Sequence, residues 1–102
     1  MATKKWFGLE DLEKKHGPIT LGRYISAFRQ CDELSQAAYA RKLKISRANL
    51  CDIEKGRKTV SPERAAKIAK LMGVSEMTLI QLAIQDQLNA MKLKYKVELK
   101  SA

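Results

Sequence analysis

The chain has 102 residues, enough for one domain, and 20 Lys plus Arg against 11 Asp plus Glu give a formal charge of +9. With 45% hydrophobic residues it can bury a core without metal or disulfide staples, and so large a basic excess points to a polyanion as partner. No apolar run approaches the ~18 residues a membrane span needs, and Met1–Gly8 is basic with no apolar stretch behind it, so neither a span nor a secretory signal is expected and the location reads as cytoplasmic.

Five Gly and two Pro make the breaks easy to place. Gly17-Pro18 ends a short amphipathic piece, Leu9 to His16, which reads as an extra N-terminal helix within an arm over residues 1–19. Thr20 then caps a helix whose apolar positions Leu21, Ile25 and Phe28 recur at four and three residues, and which should stop near Cys31. Ser35 stands ahead of a second helix carrying Ala38, Tyr39, Ala40 and Leu43. After Lys44-Ile45, Ser46 opens a third with Leu50 and Ile53 on its inner face and Gly56 as a stop. Ser61-Pro62-Glu63 is the strongest start signal in the chain, because a first-turn Pro lacks only an N–H that would be unpaired there. Ala65, Ile68, Ala69 and Met72 line that fourth helix, and Gly73 ends it.

Ser75 caps a fifth helix whose Met77, Leu79, Ile80, Leu82, Ala83, Ile84 and Leu88 cover more than one narrow stripe, which implies a second contact surface. Past Ala90 the apolar period falls from 3.6 to 2: Met91, Leu93, Tyr95, Val97 and Leu99 alternate with Lys92, Lys94, Lys96, Glu98 and Lys100. Alternation of this kind predicts a half-buried β-strand over residues 91–102, outside a helical domain at 20–90. The fold class expected is therefore all-α, with five helices in the main domain and one terminal strand.

Charge is unevenly spread: residues 36–70 hold ten basic and three acidic side chains, a net +7. Two short helices joined by a tight turn, with the basic excess on them and their flanks, are the arrangement that sets a recognition helix into the DNA major groove. The residues here are Ser35-Gln36, Ala40, Ile45-Ser46 and Ile53-Glu54-Lys55-Gly56, followed by Ser61-Pro62-Glu63 and Leu71-Met72-Gly73-Val74-Ser75. In that pattern the chain resembles the lambda-repressor-like (Cro/C1, or XRE) helix-turn-helix family over about residues 21–84.

From the residues, Ala40 is small where two helices cross, and Leu50 and Ile53 form the apolar floor below the third helix. Arg47, Ala48, Asn49 and Asp52 fall on its other face and are the candidates for base edges: Arg for guanine O6/N7, Ala for a thymine methyl, Asp for cytosine N4. Ser46 caps the helix beside N–H groups suited to a phosphate, and Lys44, Lys55, Arg57 and Lys58 are further phosphate candidates. The resemblance implies that Gln36 grips a phosphate and braces the recognition helix, and that Arg29 and Glu54 form a structural ion pair. Where the family's turn usually has Gly this chain has Lys44, which then has to adopt a left-handed conformation at a cost of ~1 kcal/mol.

A lone strand has to pair its N–H and C=O groups, and nothing else in the sequence reads as a second strand, so another copy is the expected partner. Leu79, Leu82, Leu93, Tyr95 and Val97 are the candidates for that homodimer contact. In arrangement the tail is similar to the C-terminal strand of HipB-like antitoxins. A two-fold dimer reads two half-sites, so the reading is a homodimeric repressor on a pseudo-palindromic operator, bound to the bacterial nucleoid and plausibly autoregulating. The alternative is a HigA/HipB-like antitoxin that also neutralises a small protein toxin, with Trp6, Phe7, Leu9 and Leu12 packing as a helix or serving as a toxin-binding arm. Cys31, Cys51 and His16 lack the spacing of a zinc site, and neither a glycine-rich phosphate loop nor paired carboxylates in an apolar setting is present. No metal, cofactor or catalysis is expected.

Overall fold

The computed structural model describes residues 19–102, so residues 1–18 of the N-terminal arm, with its expected helix, lie outside the described residues. Five helices follow in order: α1 Leu21–Cys31, α2 Gln36–Leu43, α3 Arg47–Glu54, α4 Pro62–Met72 and α5 Glu76–Ala90. Each starts where a hydroxyl was expected to cap it. Thr20, Ser35, Ser46, Ser61 and Ser75 accept the backbone N–H three residues on, from Arg23, Ala38, Asn49, Arg64 and Thr78, at 3.0 to 3.4 Å. These bonds satisfy donors that the first turn of a helix cannot pair internally.

The helix ends are as specific. Gly73 closes α4 in the left-handed conformation at φ 77°. Lys44 does the same for α2 at φ 59°, ψ 39°, its N–H donating to the Arg41 carbonyl and Ile45 N–H to the Ala40 carbonyl. A positive φ here turns the chain sharply enough for only three residues to separate α2 from α3. Glu33 makes a similar turn after α1, at φ 56°, and Leu34 N–H then reaches the Arg29 carbonyl.

One continuous core joins all five helices. Leu21 and Ile25 from α1, Tyr39 and Leu43 from α2, Leu50 and Ile53 from α3, Ala65 and Ile68 from α4, and Leu79 and Leu82 from α5 are all buried, with Val60 from the loop before α4. Small residues set the close approaches. Gly22 meets the backbone at the end of α3 so tightly that a Cβ there would collide with the Ile53 carbonyl oxygen. The N-terminus of α1 is tied to α5 through Leu21 N–H, which donates to Asp86 Oδ2 at 3.1 Å. Burial raises the Asp86 carboxyl above its ordinary value, and the Leu21 bond works in the opposite direction.

The tail differs from its expectation. Among the described residues no strand forms, and residues 93–102 carry no ladder pairing. Met91 and Lys92 instead turn the chain back, Lys92 at φ 59° with Leu93 N–H donating to the Leu88 carbonyl at 2.9 Å. From there the tail is held on α5 by one side chain: Gln85 Nε2 donates to the Tyr95 carbonyl at 2.7 Å, and Gln85 Oε1 accepts from Val97 N–H at 2.8 Å. Alternating apolar residues specify a face, whereas a strand also needs a neighbouring backbone, which a single chain does not give this segment. Leu79 and Leu82 also depart from their expected role. At 0% and 4% exposure they belong to the core of their own chain and leave no surface for a second copy.

Candidate nucleic-acid interface

The exposed face around α3 is built from its N-terminus upward. Ser46 Oγ accepts Asn49 N–H at 3.0 Å, which fixes the first turn, and a hydroxyl that accepts one bond can still donate another. Arg47 and Ala48 come next and are exposed, while Asn49 and Asp52 are half-buried. Leu50 and Ile53, 0% and 2% exposed, hold the opposite side on the core. The four residues expected to meet base edges are thus on one short helix whose inner side is fixed.

Asp52 is already engaged. Its Oδ1 lies 3.5 Å from Arg57 Nη1, and Arg57 N–H donates to the Asp52 carbonyl at 2.8 Å. The guanidinium therefore folds back along the C-terminal end of α3 instead of projecting freely. Lys55, Lys58 and Lys44 are exposed beside it, so cationic groups border α3 at both ends. The arrangement suits a polyanion that passes over the helix and touches each flank.

Under this surface lies the cluster that holds α3 in position. Arg29 of α1 grips Glu54 with two parallel bonds, Nε to Oε2 at 2.8 Å and Nη2 to Oε1 at 3.1 Å. Gln36 Nε2 of α2 donates to the same Oε1 at 3.1 Å, and Arg29 Nη1 donates to the Leu34 carbonyl at 3.0 Å. The Glu54 and Arg29 side chains are only 6% and 17% exposed, so the charges are paired in a poorly solvated place where bidentate geometry matters. Hydrogen bonding to Glu54 raises the Arg29 guanidinium further above its ordinary value. Tyr39 packs beneath, its hydroxyl pushed up to about 12, first by burial and then by the nearby Asp32 and Glu54 carboxylates. The expected Arg29–Glu54 pair is therefore present. Gln36 braces α3 through Glu54 with the amide that was expected to grip a phosphate.

A family model described as "Helix-turn-helix" matches residues 20–79. The chain belongs to the Cro/C1-type helix-turn-helix family. Searches of curated proteins and of solved structures returned no match. Within the helix-turn-helix, α2 and α3 are the paired helices and Lys44-Ile45-Ser46 is the turn between them. Membership carries DNA binding as the domain's role.

Sequence reading missed three residues that shape this site. Gly22 sets how closely α1 approaches α3, Asp86 anchors the start of α1, and Gln85 holds the tail. A Gly inside an apolar-periodic helix was the available signal for the first, since such a residue usually has a packing reason. The two α5 residues had no local signal. Among the described residues no group of three or more His, Cys, Asp or Glu side chains is placed to hold a metal, and no helix is long and apolar enough to cross a membrane.

Proposed function

We propose that the protein is a transcriptional repressor that binds a pseudo-palindromic operator as a homodimer, with Arg47, Ala48, Asn49 and Asp52 at base edges. Ser46, Lys44, Lys55, Arg57 and Lys58 then contact phosphates, and Gln36 either adds a phosphate contact with its remaining N–H or serves only to brace α3. The observation that carries this reading is an α3 whose outer face is polar and bordered by cations while Arg29, Gln36 and Glu54 fix its inner end. A rigid, basic-flanked helix of this kind pays little ordering cost when it enters a groove.

Selection of bound DNA from a random pool, followed by titration of the selected duplex at several salt concentrations, tests the reading. An inverted repeat with half-sites about one helical turn apart is expected. With about six phosphates neutralised, log Kd should rise with log salt at a slope near 5. Arg47→Ala should weaken binding by about 1–3 kcal/mol and relax preference at one position in each half-site, whereas Lys58→Ala should weaken all sequences alike. Absence of any sequence preference, or affinity that does not respond to salt, would overturn the reading.

A further inference from the structure

The cap that ends α3 carries a charged pair where caps of its kind usually carry an apolar one. Gly56 takes the left-handed conformation at φ 76°, its N–H donating to the Ile53 carbonyl at 3.1 Å, and Arg57 N–H reaches back to the Asp52 carbonyl at 2.8 Å. These two bonds reverse the chain after Lys55 and lay residue 57 beside residue 52, the two positions whose side chains usually meet in an apolar contact. Here they are Arg and Asp, with Nη1 3.5 Å from Oδ1. The main chain itself thus returns the guanidinium to α3, and the ion pair only orients it. We infer that Asp52 and Arg57 act as one unit that reads a guanine at its own position in each half-site. This rests on the operator reading above and moves Arg57 from the phosphates to the base edges.

Asp52 follows Ala48 by four residues on α3, so the two share a row one turn apart, while Leu50 and Ile53 occupy the buried side. The guanidinium is therefore held beside the row that would enter the groove. Of its five N–H groups Asp52 Oδ1 takes one, and the Nε–Nη2 edge keeps two parallel donors of the kind that meet guanine O6 and N7. Asp52 Oδ2 can still accept from an amino group. An acceptor beside two donors matches the edge of a G·C pair, which sets the cytosine N4 amino group next to guanine O6 and N7. At an A·T pair the guanidinium would meet the adenine N6 amino group, donor against donor.

Charge points the same way. A lone carboxylate at position 52 would repel the backbone of any duplex, and pairing with Arg57 offsets that charge. Lys55 and Lys58 are exposed on the same flank and have no acidic partner among the described residues, so they supply the point charges a phosphate needs. A planar fork is needed only where geometry is read. At ~1.5 Å per residue Asp52 lies about 7.5 Å beyond Arg47 along α3, roughly two base steps, so the two arginines address separate base pairs.

Selection from a random duplex pool, repeated with full-length Arg57→Lys, Asp52→Asn and the double variant, tests the unit. Arg57→Lys keeps the charge and loses the fork. It should cut the preference for guanine at one position of each half-site about tenfold, with the slope of log Kd against log salt retained. Asp52→Asn should lower the preference at that same position, while affinity for a duplex lacking the operator rises several-fold as the carboxylate's repulsion is removed. In the double variant the two losses should fall short of additive, since either alone breaks the unit. The Arg57 and Asp52 side chains are 63% and 31% exposed, so the urea midpoints should match the parent's. A selected sequence unchanged by Arg57→Lys, or variants at 52 and 57 that alter different positions, would overturn the unit and return Arg57 to the phosphates, while the operator reading survives. A parent chain with no sequence preference would overturn both.

Discussion

Glu54 and Gln85 each tie together segments far apart in the chain, and their surroundings differ. Glu54 receives three donors, from α1 and α2, with its side chain 6% exposed, so each bond is formed where water cannot replace it. Gln85 holds the tail with two bonds, one of them exposed, and no apolar contact closes over Tyr95 at 71% exposure. The α3 end is therefore fixed before any partner arrives. The tail is positioned but lightly held, and should open at a lower free energy than the α3 end.

The sharpest way to break this contrast is Glu54→Ala. Removing the carboxylate leaves the Arg29 guanidinium charged and poorly solvated, and should cost about 3 kcal/mol in urea unfolding, with DNA affinity falling alongside stability. Glu54→Gln should recover part of the loss, since a carboxamide still accepts from Arg29. Next comes Gly22→Ala, where a Cβ meets the Ile53 carbonyl. The helix-propensity gain of Ala is outweighed by the displacement of α3, for a net loss of about 1–2 kcal/mol that thermal unfolding would register. Lys44→Gly works in the other direction. It relieves a left-handed lysine and should stabilise by about 1 kcal/mol, while weakening DNA binding if the Lys44 ammonium contacts phosphate.

Asp86→Asn tests a bond between the two ends of the domain. Because burial raises its carboxyl, Asp86 holds a proton more tightly when folded, so its contribution is greatest at acid pH and is lost as pH rises from 3.8 through the raised value. Asn keeps an acceptor for Leu21 N–H but does not titrate. The variant should lose that fall in its stability-versus-pH profile and be no less stable than the parent at neutral pH, as urea midpoints across the acid range would show. The smallest effect is expected from Gln85→Ala. Global stability should change by only about 0.5 kcal/mol, while Val97 N–H should lose its hydrogen-exchange protection.

The helical part of the fold was legible because its determinants are local. A hydroxyl three residues before the N–H it caps, a Pro in the first turn of α4 and a Gly after Met72 all act within one turn of helix, and apolar spacing places the core face. The left-handed Lys44 was legible only through the family resemblance, because the turn of that family usually has Gly where this chain has Lys44. Leu79 and Leu82 were misassigned because the breadth of the α5 apolar surface does not say which stripe faces inward. The bonds from Gln36 to Glu54, Asp86 to Leu21 and Gln85 to residues 95 and 97 span 18, 65 and 10–12 positions, and no periodicity records such pairings. The tail shows the limit most clearly: alternation predicts a strand, but a strand also needs a neighbouring backbone, and among the described residues none pairs with it.

Gly22 has a consequence for how such a domain changes over time. The spacing of α1 and α3 is set by main chain against main chain at the Ile53 carbonyl, so it does not depend on the side chains that α3 displays. Substitutions at Arg47 or Ala48, both exposed, can therefore alter which surface the helix matches without altering where the helix sits. On the reading proposed above, in which Arg47 and Ala48 meet base edges, a change of specificity then needs no rearrangement of the helices, and a population of such chains can drift among target sequences while the spacing of α1 and α3 stays as it is.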